Sequence, residues 1–184
     1  MGLRPFTGLR VTQDRVDAVL RAVHATQNTR VLVGIPAEEG PRQPEPGEKG
    51  APLNNAVIAY IMETGSPAAN IPARPTLVPG VTKAMGRIAR LYEGALRGLL
   101  RGEAIDLNAT HHKVGLVAQA SVRREFIAGE HAPLAPSTLA KRRGRGRTGT
   151  RPLIDTGQLR NAINYVLRRR GAQAGAEGEQ RGAA

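Results

Sequence analysis

The stretch from Val81 to Arg101 constrains the fold more than any other part of the chain. On a helix that turns about 100° per residue, Val81, Met85, Ile88, Tyr92, Ala95 and Leu99 share one face, and Lys83, Arg87, Arg90, Arg97 and Arg101 cluster on the opposite one. One side packs and the other is cationic. Gly86, Gly94 and Gly98 lower the intrinsic helix propensity, so packing has to hold this helix together. A solvated face usually mixes charges of both signs, and this one is nearly free of acid, which favours contact with a polyanion.

Periodicity predicts three more helices. Over 14–27, Val16, Val19, Leu20 and Val23 form one apolar stripe, with Asp14 and Asp17 in the first turn where the helix dipole favours anions. Over 53–64, Leu53, Val57, Ile58 and Ile61 face inward and Gly65 ends the run. Over 107–128, Leu107, Val114, Leu116, Val117, Val122, Phe126 and Ile127 wrap much of the circumference, which predicts burial on more than one side. A short helix at 158–162 is expected to take Asp155 or Thr156 as its N-cap. Strands are expected at 30–36 and 163–168, where β-branched and apolar residues run together.

The expected fold class is therefore α+β, a small β-sheet packed with about four helices, with long loops or arms. Residues 1–12 read as an amino-terminal arm and 13–167 as a single domain. Residues 168–184 contain no core-forming side chain and read as a flexible, disordered tail. Residues 37–52 are rich in Pro and Gly and read as an exposed loop. Ser66 to Gly80 holds four prolines, which predicts an extended path without helix or central strand. His131 to Pro152 reads as a long charged excursion, of the kind that is usually functional or disordered.

Composition narrows the partners. The formal charge is +12, a field that attracts nucleic acid, anionic lipid or an acidic protein face. Aromatics make up 3 % of the chain, so Leu, Val, Ile and Ala build the core, and modest monomer stability supported by subunit contacts is expected. The absence of Cys excludes disulfides, thiolate metal sites and Cys nucleophiles. The first residues carry no apolar signal core and no run is long enough to span a bilayer, so a soluble product with no membrane partner is expected.

Few motifs suggest chemistry. Gly144 to Gly149 matches G-x-G-x-x-G, but it follows a Lys-Arg-Arg run and leads into Thr-Arg-Pro, without the strand, helix and acidic residue a dinucleotide site requires. His111 and His112 are adjacent and diverge on a helix, so they do not form a metal pair, and His24 and His131 have no ligand-like neighbours. Glu63 lacks a visible partner acid or nucleophile. No catalytic residue, metal or cofactor is expected. Arg142, Arg143, Arg145 and Arg147 form a second basic cluster, which reads as a protein-contact or mobile loop. Neither basic patch interleaves aromatics, so any nucleic-acid contact would be to the backbone and insensitive to sequence.

Two segments together resemble the neck and tail-completion proteins of tailed bacteriophages, a group that includes virion morphogenesis and minor tail proteins. The first runs through Val33-Gly34-Ile35, Asn55 to Ala59, Glu63-Thr-Gly65-Ser66, Ile71-Pro-Ala-Arg-Pro75 and Pro79-Gly80-Val81. The second comprises Ala132-Pro-Leu134, Ser137-Thr138, Lys141, Pro152 to Gly157, Leu159 and Ile163 to Val166. The resemblance covers about residues 30 to 167, with Thr76 standing where an aromatic is expected and enlarged loops at 40–52 and 141–151.

It implies a structural virion protein of the head-tail junction, assembled in the host cytoplasm as a homo-oligomeric, sixfold ring around the DNA channel. Its partners would be neighbouring neck or connector proteins, tail-tube proteins and, without sequence specificity, packaged DNA. In that setting Lys83, Arg87, Arg90, Arg97 and Arg101 would line the channel. Ile71, Pro72, Arg74, Pro75, Leu77 and Val78 would form an inter-subunit arm. The competing expectation is a sequence-nonspecific nucleic-acid-binding protein, which explains the charge equally well but should show a binding module. No helix-turn-helix, zinc-finger or RNA-binding sheet signature is present.

Overall fold

The computed structural model describes residue 14 and residues 16–36, 53–171 and 180–181. The arm at 1–12, the loop at 37–52 and much of the 168–184 tail lie outside the described residues. Helix α1 (Val16–Asn28) runs directly into strand β1 (Thr29–Gly34). Then come α2 (Asn55–Thr64), a 3-10 turn (Pro67–Ala69), α3 (Leu77–Arg101), α4 (Leu107–Ala128), α5 (Pro136–Gly144) and the single-turn α6 (Gln158–Asn161). Strands β2 (Asn164–Arg169) and β3 (Gln180–Arg181) close the order. The fold is α+β, dominated by helices. Its small antiparallel sheet has the order β1-β2-β3, with Thr29 opposite Arg169 and Gly34 opposite Asn164.

Helix α4 is the centre of the molecule, with α3 on one side and the sheet on the other. Both contacts depend on side chains that are missing. A Cβ placed on Gly80 of α3 would lie 2.6 Å from the Cα of Val122, so the two helix backbones touch there. Gly115 of α4 lies against the ring of Tyr165 from β2, and a Cβ there would sit 2.6 Å from that ring's Cγ. Between these seams Val122, Phe126 and Ile163 form the buried core, with Val33, Ile35, Leu77, Val81, Leu153 and Leu159 packed around them. Polar groups of α4 fix the start of β2. The carbonyl of Ile163 accepts from Gln119 Nε2 at 3.0 Å and from the Arg123 guanidinium at 2.8 Å.

Helix α4 is buried on two faces, as the spread of its apolar residues predicts, although Leu116 and Ile127 remain exposed. Other expectations need correction. Helix α3 begins at Leu77, not Val81, and the 66–80 segment contains a 3-10 turn as well as the first residues of α3. Pro79 lies in the first turn of α3, where its missing N–H would have had no intrahelical partner, so it does not oppose the helix.

The buried line of α3 is also rotated from the expected stripe. It uses Gly80, Ala84, Ala95 and Gly98, whose small size allows close approach, and Met85 is left 53 % exposed. In α1 the expected stripe is likewise partly outward, with Val16 and Leu20 exposed and Ala22 buried. Helix α2 has no buried residue, and Leu53 and Val57 are exposed. At α6 the N-cap position belongs to Gly157, at φ 84°, and neither Asp155 nor Thr156 occupies it. Part of the 131–152 excursion is helix α5, and strand pairing continues through Arg169 and at Gln180–Arg181, inside the stretch assigned to the tail.

Candidate functional site

The Val33–Val81 and Ala132–Val166 motif segments meet in space. Helix α2 ends at Gly65, which takes φ 77° and comes so close to the following chain that a Cβ would lie 2.9 Å from the nitrogen of Ala73. Ser66 and Ile71 exchange two backbone hydrogen bonds of 2.9 Å, folding 66–71 into a closed turn around the 3-10 segment. The chain then passes back along α2, where Arg74 N–H donates to Met62 O.

That path delivers the start of α3 to Glu63. The Glu63 carboxylate accepts from the N–H groups of Thr76 (2.7 Å), Leu77 (3.0 Å) and Val78 (3.0 Å). A side chain from α2 thus caps α3, satisfying donors that a helix start leaves open and placing a negative charge at the positive end of the dipole. Glu63 is a structural group here, which answers the question its position raised. Replacing it with Ala should lower stability by about 1–3 kcal/mol, with Glu63→Gln intermediate because one amide oxygen cannot serve three donors. Urea denaturation of the three proteins measures this, and equal midpoints would contradict it.

Arg74 completes the connection. It is buried, and its Nε and Nη2 donate to the carbonyls of Ala132 (2.8 Å) and Pro133 (2.9 Å). The arginine of the Ile71–Pro75 motif is therefore spent on the Ala132–Leu134 motif of the same chain, not left for a neighbour. Leu77 is also internal, packed on the core cluster. Of the expected inter-subunit residues, Pro72, Pro75 and Val78 are exposed, and Ile71 is half-buried.

Between the two segments lies a cavity of about 350 Å³. Its walls come from α2 (Asn55, Ile58, Met62), from 70–74, from Leu134 to Arg142, and from Leu153 to Leu159. About half of these residues are apolar. Arg142 forms its polar end. It is buried, donating through Nη1 to the carbonyls of Gly149 (3.0 Å) and Arg151 (2.9 Å), with Nε 3.5 Å from Asp155 Oδ1. Arg147 reaches the other oxygen of Asp155. The basic cluster therefore does not behave as one mobile unit. Arg142 and Arg147 brace the loop from inside, and Arg143 and Arg145 are exposed. The two acceptor carbonyls of Arg142 are backbone groups, which explains why sequence spacing gave no hint of them.

The basic face of α3 also divides. Lys83 binds the buried carboxylate of Glu125 at 2.7 and 2.8 Å, and Arg97 pairs with Glu93 one turn earlier, an acid beside the cationic arc. Arg87, Arg90 and Arg101 are exposed and make no ion pair among the described residues. Those three, not all five, are the open cationic surface.

His111 and His112 each meet a tyrosine. Tyr92 of α3 lies 2.8 Å from His111 Nδ1, and Tyr165 of β2 lies 3.0 Å from His112 Nδ1. The adjacent histidines point to opposite neighbours of α4 and anchor both. Burial, with a smaller contribution from the charge of His112, holds His111 below its usual histidine value of 6.5, and burial raises the Tyr92 hydroxyl above 10.0. Because folding weakens His111 as a base, the unfolded chain binds the extra proton. This contribution to stability is full above the ordinary histidine value and is lost as pH falls through it. His111→Gln should flatten the stability change between pH 7 and pH 5, measured by urea midpoints, and an unchanged slope would contradict it.

Among the described residues no group of three or more His, Cys, Asp or Glu side chains could hold a metal ion, and no helix is long and apolar enough to cross a membrane. No protein-family model matches the chain, and neither a curated protein nor a solved structure is detectably similar to it.

Proposed function

We propose that this chain is a structural subunit of the head-tail junction of a tailed bacteriophage, forming a ring around the DNA channel. The observation that carries the reading is the Arg74 clasp. The two segments resembling neck and tail-completion proteins are separated by two long helices, yet Arg74 of one holds Ala132 and Pro133 of the other. Motifs that cooperate physically form one device, which makes their joint occurrence more telling than either alone. Imaging of the particle with the protein labelled tests the assignment, and a position away from the head-tail junction rejects it.

In such a ring the open arginines of α3 face the channel. An acidic wall would repel DNA at short range, and a rigid helix presents its charges in a fixed direction. Arg87→Glu with Arg90→Glu should impair DNA retention in assembled particles while ring formation continues. Particles that retain and deliver DNA normally would show these arginines to be merely solvated.

The same arginines favour a second reading, a sequence-nonspecific nucleic-acid-binding protein. That reading requires the isolated chain to bind duplex DNA as a monomer, with affinity falling steeply as salt rises. Sedimentation with and without DNA separates the two. A ring that forms without DNA supports the first, and a tight DNA-bound monomer supports the second.

A further inference from the structure

The cavity between the two motif segments has walls suited to an apolar guest that carries an N–H group. Ile58, Met62, Ile71, Leu134, Leu153 and Leu159 line it, and its volume of about 350 Å³ falls within the range of ligand sites. Asn55 lines it too, and its side-chain oxygen is buried without a hydrogen-bond partner among the described residues. A buried acceptor without a donor is costly, so a guest that donates there gains from it. Helix α2, which forms one wall, is rich in apolar residues and has no buried one.

The chain carries such a guest. Residues 1–13 read MGLRPFTGLRVTQ, with Leu3, Phe6 and Leu9 at every third position. Pro5 suits a polyproline II path, which turns once in three residues, and on such a path these three side chains would share one edge. Such a segment makes no internal hydrogen bonds, which leaves its backbone N–H groups free to donate. Phe6 is one of only two phenylalanines in the chain, and the other, Phe126, is buried in the core. Extended, residues 1–13 reach roughly 40 Å, about the diameter of a folded chain of this length, which is far enough to engage a neighbour.

We infer that the cavity is the receptor for the amino-terminal arm of a second copy of this chain. Phe6 and a flanking leucine enter between α2 and α5, and an arm N–H donates to Asn55. The inference rests on the ring reading for the presence of a neighbour. It makes each contact head-to-tail, since the arm and the cavity are different parts of the subunit, and contacts of that kind build rings.

Two full-length variants test it by sedimentation. Phe6→Asp spoils the guest. Thr138→Trp fills the receptor from an exposed position of α5 on the cavity wall, and Ala135→Phe does so from a neighbouring position should the first fail to fold. Wild type should assemble, and each variant should assemble at least tenfold more weakly while its circular-dichroism spectrum remains that of the folded chain. An equimolar mixture of the arm variant and the cavity variant should recover a one-to-one pair and nothing larger, because it holds one intact arm and one intact cavity. Wild-type assembly in either variant, a mixture that stays monomeric, or a monomeric wild type overturns the inference. Rings that persist in both variants remove the arm contact and leave the head-tail assignment intact. Restored pairing of a protein that imaging finds away from the junction does the reverse.

Discussion

Gly115→Leu should abolish stable folding, and Gly115→Ala should cost about 1–3 kcal/mol, although alanine is the better helix former. Tyr165 decides the sign. Its ring lies where the new Cβ would be placed, and it cannot move aside readily, because it is buried, its backbone pairs with Val33 in the sheet, and its hydroxyl meets His112. The steric cost exceeds the propensity gain of up to about 1 kcal/mol. Gly86 and Gly94 provide the control. A Cβ at either meets nothing within 4 Å, so alanine there should stabilise by about 0.5–1 kcal/mol. Chemical denaturation of the three alanine variants should give midpoints on opposite sides of wild type. A Gly115→Ala protein as stable as Gly94→Ala would show that the sheet tolerates a shift of α4.

Arg142→Leu is the second large effect expected, at about 3 kcal/mol. It strips the donor from the carbonyls of Gly149 and Arg151 and leaves Asp155 with Arg147 as its remaining ion-pair partner. The consequence should be local first. Arg142 ties the chain at Gly149 and Arg151 to α5, so the residues around 149–151 should open before the core does. Hydrogen exchange should accelerate there well before it does in α4, and a protease should cut there sooner. Arg142→Lys should rescue little, because a single ammonium cannot reproduce the planar fork that holds two carbonyls beside a carboxylate. Full rescue by lysine would mean that charge, not geometry, holds the loop.

The sequence made the helices legible where the apolar period was long. The positions of α1, β1, α4 and β2 are close to expectation because each carries its own signal, an apolar stripe in α1, a long apolar-rich run in α4 and short β-branched and apolar runs in the strands. Which side of α3 turns inward was not legible. Apolar residues at 81, 85, 88, 92, 95 and 99 suggested one stripe, whereas Gly80 and Val122 set another by letting two backbones touch. A hydrophobicity pattern cannot register the absence of a side chain as a contact. The start of α3 was hidden for a related reason, since its cap is Glu63, thirteen residues before Thr76, and local capping rules look only at neighbours. Arg74 was expected on an inter-subunit arm and Arg142 in a protein-contact or mobile loop, because their acceptors are carbonyls, which every residue has. Their burial follows from the turns around them and not from their own surroundings in the chain.

The pairing of β1 with β2 sets a clock on synthesis. The strand Thr29–Gly34 leaves the ribosome early, and its partner Asn164–Arg169 emerges about 130 residues later. At the usual rates of elongation that interval is on the order of ten seconds, during which Val31, Leu32 and Val33 have no strand to pair with. The α3–α4 hairpin needs no such wait, since its two helices are neighbours in sequence and settle within a small fraction of that time. Birth order thus divides the molecule: a helical half that can be finished before β2 is made, and a sheet that can close only once β2 has emerged.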